Sequence, residues 1–488
     1  MKEIWGHTRT SGSIVGPGGS RGLAGVDQGI LPFVFEAAVQ PMDLTAFAGL
    51  ALVSETMLAL GLDEVVRERL QLRERQRGYD EFDKVHALVL VQAAGGDCVE
   101  DVRILARDAG LGRLLARPLP SPDALHDFLG AFHDEAQFAR RPAAGVAWIP
   151  EETGALEALA AVNTVLVRRA ASQTPVRRAT LDLDATIIES HKRDALVHYK
   201  GGRGYQPTAV VWAEQDLVLA DQYRDGNVPA GMDTLAVARR AVAVVPPTVR
   251  DRAFRGDSAC YDEALLKYLV REKIAFTISA DMSPELRKVC ADSAVAWALL
   301  EDRVTETVRV AEVEFTPGDW PKPAQPLRYV ALEIRPQQGT LFGEPLKYLA
   351  VVSNRGEELA PAALVRWHWE KAGTIEAVHD VSKNDLAAGV PPSGKFGANA
   401  AWYRLTLLTY NVLTVLRRLA LPERFRHARP KRLRYEVFTV PAEIHTHARQ
   451  LTARLGVPPL TVDELVAARG RLRDVRTAIR RADSSPQP

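Results

Sequence analysis

Two spacings of apolar residues divide this chain. Up to about residue 172, apolar side chains recur at three- and four-residue intervals, as in "DLTAFAGLALVSETMLALG" (43–61), "FDKVHALVLVQAAGG" (82–96) and "CVEDVRILARDAGLGRLLA" (98–116). Each stretch is punctuated by glycine, and the spacing predicts a series of short amphipathic helices. In "PSPDALHDFLGAFHDEA" (120–136), Ser121 is a natural N-cap and Pro122 fits the first helical turn. From about 178 the period becomes two: "ATLDLDATIIES", "QPTAVVWAEQ" and "DLVLADQYRDG" read as three consecutive strands. A helix (231–245), the strand "DRAFRGD" (251–257), a helix (261–273) and the strand "IAFTIS" (274–279) follow. Residues 281–346 are β-rich and contain prolines, and a last helix is expected through "AALVRWHWEKAGTIEAVHDVSK" (362–383) before a helical, basic tail.

This order predicts an α/β protein with a mixed sheet flanked by helices. Its expected parts are a flexible leader at 1–28, a helical DNA-binding region at 29–172, a first core segment at 173–280, the β-rich insertion at 281–346, a second core segment at 347–420 and a basic helical tail at 421–488. A packing domain would give the same front helices, so DNA recognition there is an expectation drawn from their number and shortness.

Length and composition narrow the class. At 488 residues, 47% of them hydrophobic and 25% charged, the chain is long enough for more than one core and is not disordered as a whole. Its three cysteines, Cys98, Cys260 and Cys290, show no metal-ligand spacing, and no apolar run approaches 18 residues. A cytoplasmic protein without a membrane span or structural zinc is expected. The net charge of +1 conceals an asymmetry: residues 404–488 hold 17 Arg and Lys against 7 Asp and Glu. Runs such as "RFRHARPKRLRY" (424–435), with Arg424, Arg426, Lys431 and Arg432, would draw a polyanion, although a solvated helical face has the same composition.

The candidate chemistry begins at "LDLDAT". Asp182 and Asp184 stand two apart on a strand and therefore project to one face, where buried carboxylates need a positive partner. A hard cation such as Mg²⁺ is the economical partner; a strand end reaching water is the alternative. Asp257 closes a strand that runs into a helix, a place where ligands collect in α/β sheets and also where helices are capped. On the expected last helix, Trp369, Glu376 and Lys383 share a stripe, with Ala372 in the turn between the first two, which displays a carboxylate and a lysine together or forms a solvated face.

Taken in order, "LDLDAT", "FRGDSACY" and "WEKAGTIEAVHDVSK" resemble the DDE motifs of bacterial insertion-sequence transposases with an RNase H-like core, in the class with Tyr-x2-Arg-x3-Glu-x6-Lys around the last acid. More specifically the chain looks like insertion-sequence family thirteen-eighty, through "AGGDCVEDVRILARDAGL" and "PSPDALHDFLGAF" in front and "KFGANAAWYRLTLLTYNVL" and "EIHTHARQLTARL" behind. The acids are 73 and 119 residues apart, with the β-rich insertion in the longer gap. The resemblance implies Asp184, Asp257 and Glu376 as catalytic acids holding two Mg²⁺ or Mn²⁺ ions, with Asp182 as a neighbouring ligand candidate. It implies Lys383 as a contact to the DNA backbone, cleavage at terminal inverted repeats, strand transfer into target DNA, and a homodimer on DNA. Trp369 stands where the family has tyrosine and Ala372 where it has arginine, which removes a bidentate phosphate contact. Arg366 or Lys371 could supply the charge. A structure-specific nuclease, or a non-catalytic DNA-binding descendant, would share much of this pattern.

Overall fold

The computed structural model describes residues 43–72, 78–318, 327–337 and 346–484; the expected leader at 1–28 lies outside them. At its centre are three antiparallel strands, β1 (Arg178–Ala185), β2 (Thr208–Trp212) and β3 (Leu217–Gln222), followed by β4 (Asp251–Gly256), parallel to β1, and β5 (Ala275–Ser279), parallel to β4. Their spatial order is β3-β2-β1-β4-β5, the strand arrangement of an RNase H-like core. Four more strands continue from β5: β6 (Ala298–Asp302), β7 (Glu306–Val313) and β8 (Arg328–Pro336), in the expected insertion, and β9 (Lys347–Ser353), in the expected second core segment, pair antiparallel, and β9 joins β5. Among the described residues this makes one sheet of nine strands. These added strands therefore lengthen the core sheet, and their apolar cluster (Val308, Val310, Val330, Leu332, Val351) is closed by Leu364 and Val365 of the helix Pro361–Trp369.

Helices cover this sheet. Helix α1 (Gly154–Gln173) and α2 (Thr234–Val244) pack on β3, α3 (Glu263–Arg271) packs on β5, and α4 (Pro361–Trp369) lies against β7 and β5. Helix α5 (Ile375–Asn384) packs on β1 and β2, and α6 (Phe396–Val415) on β3, α1 and the front helices. No helix among the described residues is long and apolar enough to cross a membrane. All three cysteines are free.

Every residue of α6 is buried, and its polar side chains are what tie the molecule together. Asn411 accepts from the Val218 main-chain N–H (2.8 Å) and donates to Asn163 of α1 (2.8 Å), while Gln92 of the front helix Glu81–Ala94 bonds Thr406 and Thr409. Arg404 reaches Asp221 (2.8 Å) and Glu152 (2.9 Å). Burial opposes the ionised form of Glu152, but the Arg404 and Arg240 guanidiniums outweigh it and hold its pKa at about 2. A buried charge set is tolerated only when it is fully paired.

Two expectations are corrected. The last helix is broken: α4 ends at Trp369, a 3₁₀ turn spans Glu370–Gly373, and α5 starts at Ile375 after Thr374 at φ −111°, ψ −83°. Gly373 and Thr374 are weak helix formers, and the break is held by tertiary bonds described below. The tail is not wholly helical either. "EIHTHARQLTARL" forms a hairpin, Ala442–His447 with Gln450–Leu455, whose turn residues Ala448 and Arg449 both have positive φ, and it pairs with Leu44–Thr45. Alternating side chains satisfied by a partner strand win there over helical spacing. Helix α7 (Pro459–Ser484) is the last element among the described residues.

Replacing Arg404 with Met should cost about 3–5 kcal/mol of stability, because Asp221 and Glu152 stay buried without their partner. Glu152 has a folded pKa below its ordinary 4.5, so its contribution is present above that value and is lost as pH falls toward 2. Urea unfolding between pH 6 and pH 2.5 should show this acid loss in the wild type and a much smaller one in R404M.

Candidate functional site

The register of two parallel strands aims the site. In β1 and β4, Asp182 lies level with Arg255. The next residues on that face are Asp184 and Asp257, at the two strand ends, since side chains two apart share a face. Gly256 permits the turn after β4: a Cβ there would fall 2.6 Å from Cys260 Sγ. The 3₁₀ turn Ser258–Cys260 can then fold back, and Asp257 caps it by accepting from the Ala259 N–H at 3.1 Å.

β1 is buried on both faces, so Asp182 is 0% exposed. Its positive partner is an arginine and not a cation from solution. Arg255 donates from Nε to Oδ1 (2.6 Å) and from Nη2 to Oδ2 (2.8 Å), and Thr374 Oγ1 donates to Oδ2 as well. Both oxygens of Asp182, a candidate metal ligand by its sequence position, are thus engaged by protein donors. Arg255 also donates from Nη1 to the Trp367 carbonyl (2.7 Å) and to Glu370 (3.1 Å). Together these bonds pin the break between α4 and α5 onto the sheet.

That break carries Lys371, which is 8% exposed, with Nζ 3.1 Å from Asp184 Oδ2. Burial alone would lower its pKa, but the Asp184 and Asp257 carboxylates outweigh it and raise the value. Burial and the nearby Asp184 charge push Asp257 above the ordinary carboxylate range, against the pull of Lys371 and the Ala259 N–H. Two imidazoles flank this group. His368 bonds Ser279 and Thr277, His379 lies against the main chain of Asp184, and burial lowers both to about 4, which leaves them neutral.

Asp184 and Asp257 open into a cleft lined also by Thr186, Gln206, Tyr199, Lys200 and Lys383. Lys383 Nζ donates to Thr186 Oγ1 (2.9 Å); burial lowers its pKa, and the neighbouring Lys200 charge adds to this. Tyr199 and Lys200 sit on the turn His198–Gly202, where Gly201 has φ +90° and Tyr199 is 74% exposed. Acids at one side and lysines at the other suit a phosphodiester strand.

Glu376, in the first turn of α5, is exposed, and among the described residues no hydrogen bond or ion pair holds its carboxylate. The ligand atoms of Asp184, Asp257 and Glu376 do not all lie within 4.8 Å of one another; the group among the described residues that does meet that spacing, Asp97, Cys98 and Asp101, is a helix-capping arrangement in the front region. The break also takes Trp369 off the expected stripe. It packs on the insertion's apolar cluster beneath Arg303, while Arg366 donates to the Leu300 carbonyl (3.3 Å). In the tail, Arg424 pairs with Glu464, Arg426 with Glu423, Lys431 with Asp385 and Arg432 with Glu436, so part of the positive charge is met within the chain. Arg255, Lys200 and Tyr199 went unnoticed in the sequence. Only the first left a signal, as a cation two residues before Asp257.

Two carboxylates at the ends of adjacent parallel strands and open to a cleft are a donor set that fits a hard divalent ion, which needs only one or two protein oxygens beside water and phosphate. Such a sheet and cleft define a class of metal-dependent enzymes acting on nucleic-acid phosphodiesters. A family model described as "Transposase DDE domain group 1" matches residues 35–477, and the chain belongs to that family. It is a DNA transposase, a DNA-cleaving enzyme that works with divalent metal. Among solved structures, the cryo-EM structure of piggyBac transposase in a synaptic complex with hairpin DNA is similar at 11% identity, over 91% of this chain and 81% of that one, with a TM-score of 0.43. No curated protein matches.

Asp182→Asn should lower stability by about 3–5 kcal/mol, since it leaves Arg255 buried without its carboxylate. Mn²⁺ binding by the folded fraction, followed by calorimetry, should persist. A D182N protein of full stability that no longer binds Mn²⁺ would place Asp182 in the ligand set.

Proposed function

We propose that this transposase serves an insertion sequence of family thirteen-eighty: that it recognises the element's terminal inverted repeats, cuts there, and joins the freed 3′-hydroxyl ends to target DNA. The observation that carries the reading is the meeting of Asp184 and Asp257, from two adjacent parallel strands, at a cleft that also holds Lys383 and Lys200. Asp184, Asp257 and Glu376 are the proposed catalytic acids, serving two Mg²⁺ or Mn²⁺ ions. Glu376 is assigned the third place because it stands seven residues before Lys383, and so nearly on its face of α5, at the spacing of the family motif. Metal bound there would polarise the phosphodiester and activate the attacking hydroxyl.

The chain's own groups have distinct roles. Lys383 meets a phosphate of the bound strand, held in place by Thr186. Arg424, Arg426, Lys431 and Arg432 supply backbone contacts through whatever charge their acidic neighbours leave, and the front helices read the repeats. Two ends must be held at once for joining, which favours a homodimer on DNA. Free cysteines support a reducing bacterial cytoplasm, with the protein at the nucleoid when bound to DNA.

The test is a supercoiled donor plasmid carrying the DNA that flanks the reading frame. Wild type should give joined products; nicks alone would mean a nuclease. Asp257→Asn and Glu376→Gln should each reduce cleavage to background and leave DNA affinity unchanged. Cleavage by E376Q would take Glu376 out of the set. DNA affinity should also fall steeply between 50 and 200 mM salt, by about a factor of ten or more if only a few phosphates are contacted. A flat response would exclude the basic tail from binding.

A further inference from the structure

The Asp184–Asp257 pair already has a cation. Two carboxylates at the ends of neighbouring strands repel each other, and the side chain that relieves this is Lys371, its ammonium 3.1 Å from Asp184 and acting on Asp257 as well. The lysine is buried, and its main chain is fastened on both sides. Arg255 holds the Trp367 carbonyl and Glu370, while the single hydroxyl hydrogen of Thr374 is shared between Asp182 and the Lys371 carbonyl. The neutral His368 and His379 provide no charge that could replace it.

We propose that Lys371 is the built-in counter-cation of the Asp184–Asp257 pair and has to withdraw from it before a divalent ion can bind. This rests on the reading of those two acids as metal ligands. The ammonium occupies lone pairs of Asp184 that an incoming ion needs, and a monovalent and a divalent cation cannot share one half-buried pair of carboxylates without strong repulsion. Because the turn's backbone is pinned, it is the side chain that has to move. A lysine can do so, since its charge sits at the tip of a flexible four-carbon stem, whereas arginine would grip a carboxylate with a rigid fork. The positive charge that the family carries at position 372 is absent here, and the charge at 371 faces the acids. Lys371 is thus a positioning residue that offsets the repulsion between the acids, holds them in place without metal, and lowers the apparent affinity for it.

The experiment uses the full chain without DNA. Mn²⁺ binding is measured by calorimetry and melting temperature is recorded with and without Mn²⁺, for wild type and K371M. If the lysine holds the acids nine tenths of the time or more, K371M should bind Mn²⁺ about tenfold more tightly. It should also melt at a lower temperature without metal and gain more from Mn²⁺ than wild type does. Equal or weaker binding by K371M overturns the proposal. Should K371M not fold, the double variant K371M/D184N decides: recovered folding supports an unpaired carboxylate as the cause, and continued failure overturns it. D257N separates the two levels. If D257N loses Mn²⁺ while K371M binds like wild type, the acids remain ligands and only the role of Lys371 falls. If D257N binds like wild type, the ligand reading falls, and this inference with it.

Discussion

The site depends on the buried pair of Arg255 and Asp182. Both oxygens of the aspartate and three nitrogens of the guanidinium are engaged, and the partners include the main chain and side chains of the segment between α4 and α5. Two parallel strands and a broken helix therefore meet at one point. Without that hub the Glu370–Thr374 segment would lose its anchor to Arg255 and Asp182 on the sheet. Lys371 would lose its aim at Asp184, and α5, with Glu376 and Lys383, would lose its fixed origin. Removing either charge would leave the other stranded in a core with no water to solvate it.

A second polar set does the same work at larger scale. Helix α6 is surrounded by protein on all sides, and such a helix would be expected to be uniformly apolar. Instead Arg404, Thr406, Thr409 and Asn411 give it direction: toward Asp221 and the β3 main chain on one flank, Asn163 and Glu152 on another, and Gln92 of the front helices on a third. Apolar contact supplies most of the burial energy but is indifferent to register. Hydrogen bonds and ion pairs of fixed geometry select one seating of the front helices against the sheet.

Along the sheet, the insertion does not form a separate layer. It extends the core from β5 outward and packs its apolar face under α4, and Trp369 belongs to that packing. Trp369 thus serves the joint between the strands β6 to β9 and the core. The neighbouring Ala372 is exposed, while the positive charge one position earlier turns inward to the acids.

Much of this was legible in the chain itself. Alternation of apolar residues marks β1 to β3, "DRAFRGD" and "IAFTIS" mark the parallel strands, and the order of these elements leads to a mixed sheet with Asp184 and Asp257 at strand ends. Local periodicity carries that information, because burial of one face is decided within a few residues. The partner of a buried charge is a different matter. That Asp182 answers to Arg255, 73 residues away, follows from strand register. That Lys371 answers to Asp184 follows from a helix break that local spacing alone reads as continuous. The hairpin at 442–455 likewise needs the strand at 44–45 that pairs with it. Sequence by itself determined the core strands, their order and the acids in their motifs; tertiary structure alone decided where the last helix breaks, which acid is enclosed by protein and which stands open to the cleft, because Coulomb partners are chosen by distance in space and the chain encodes that distance only through the whole fold.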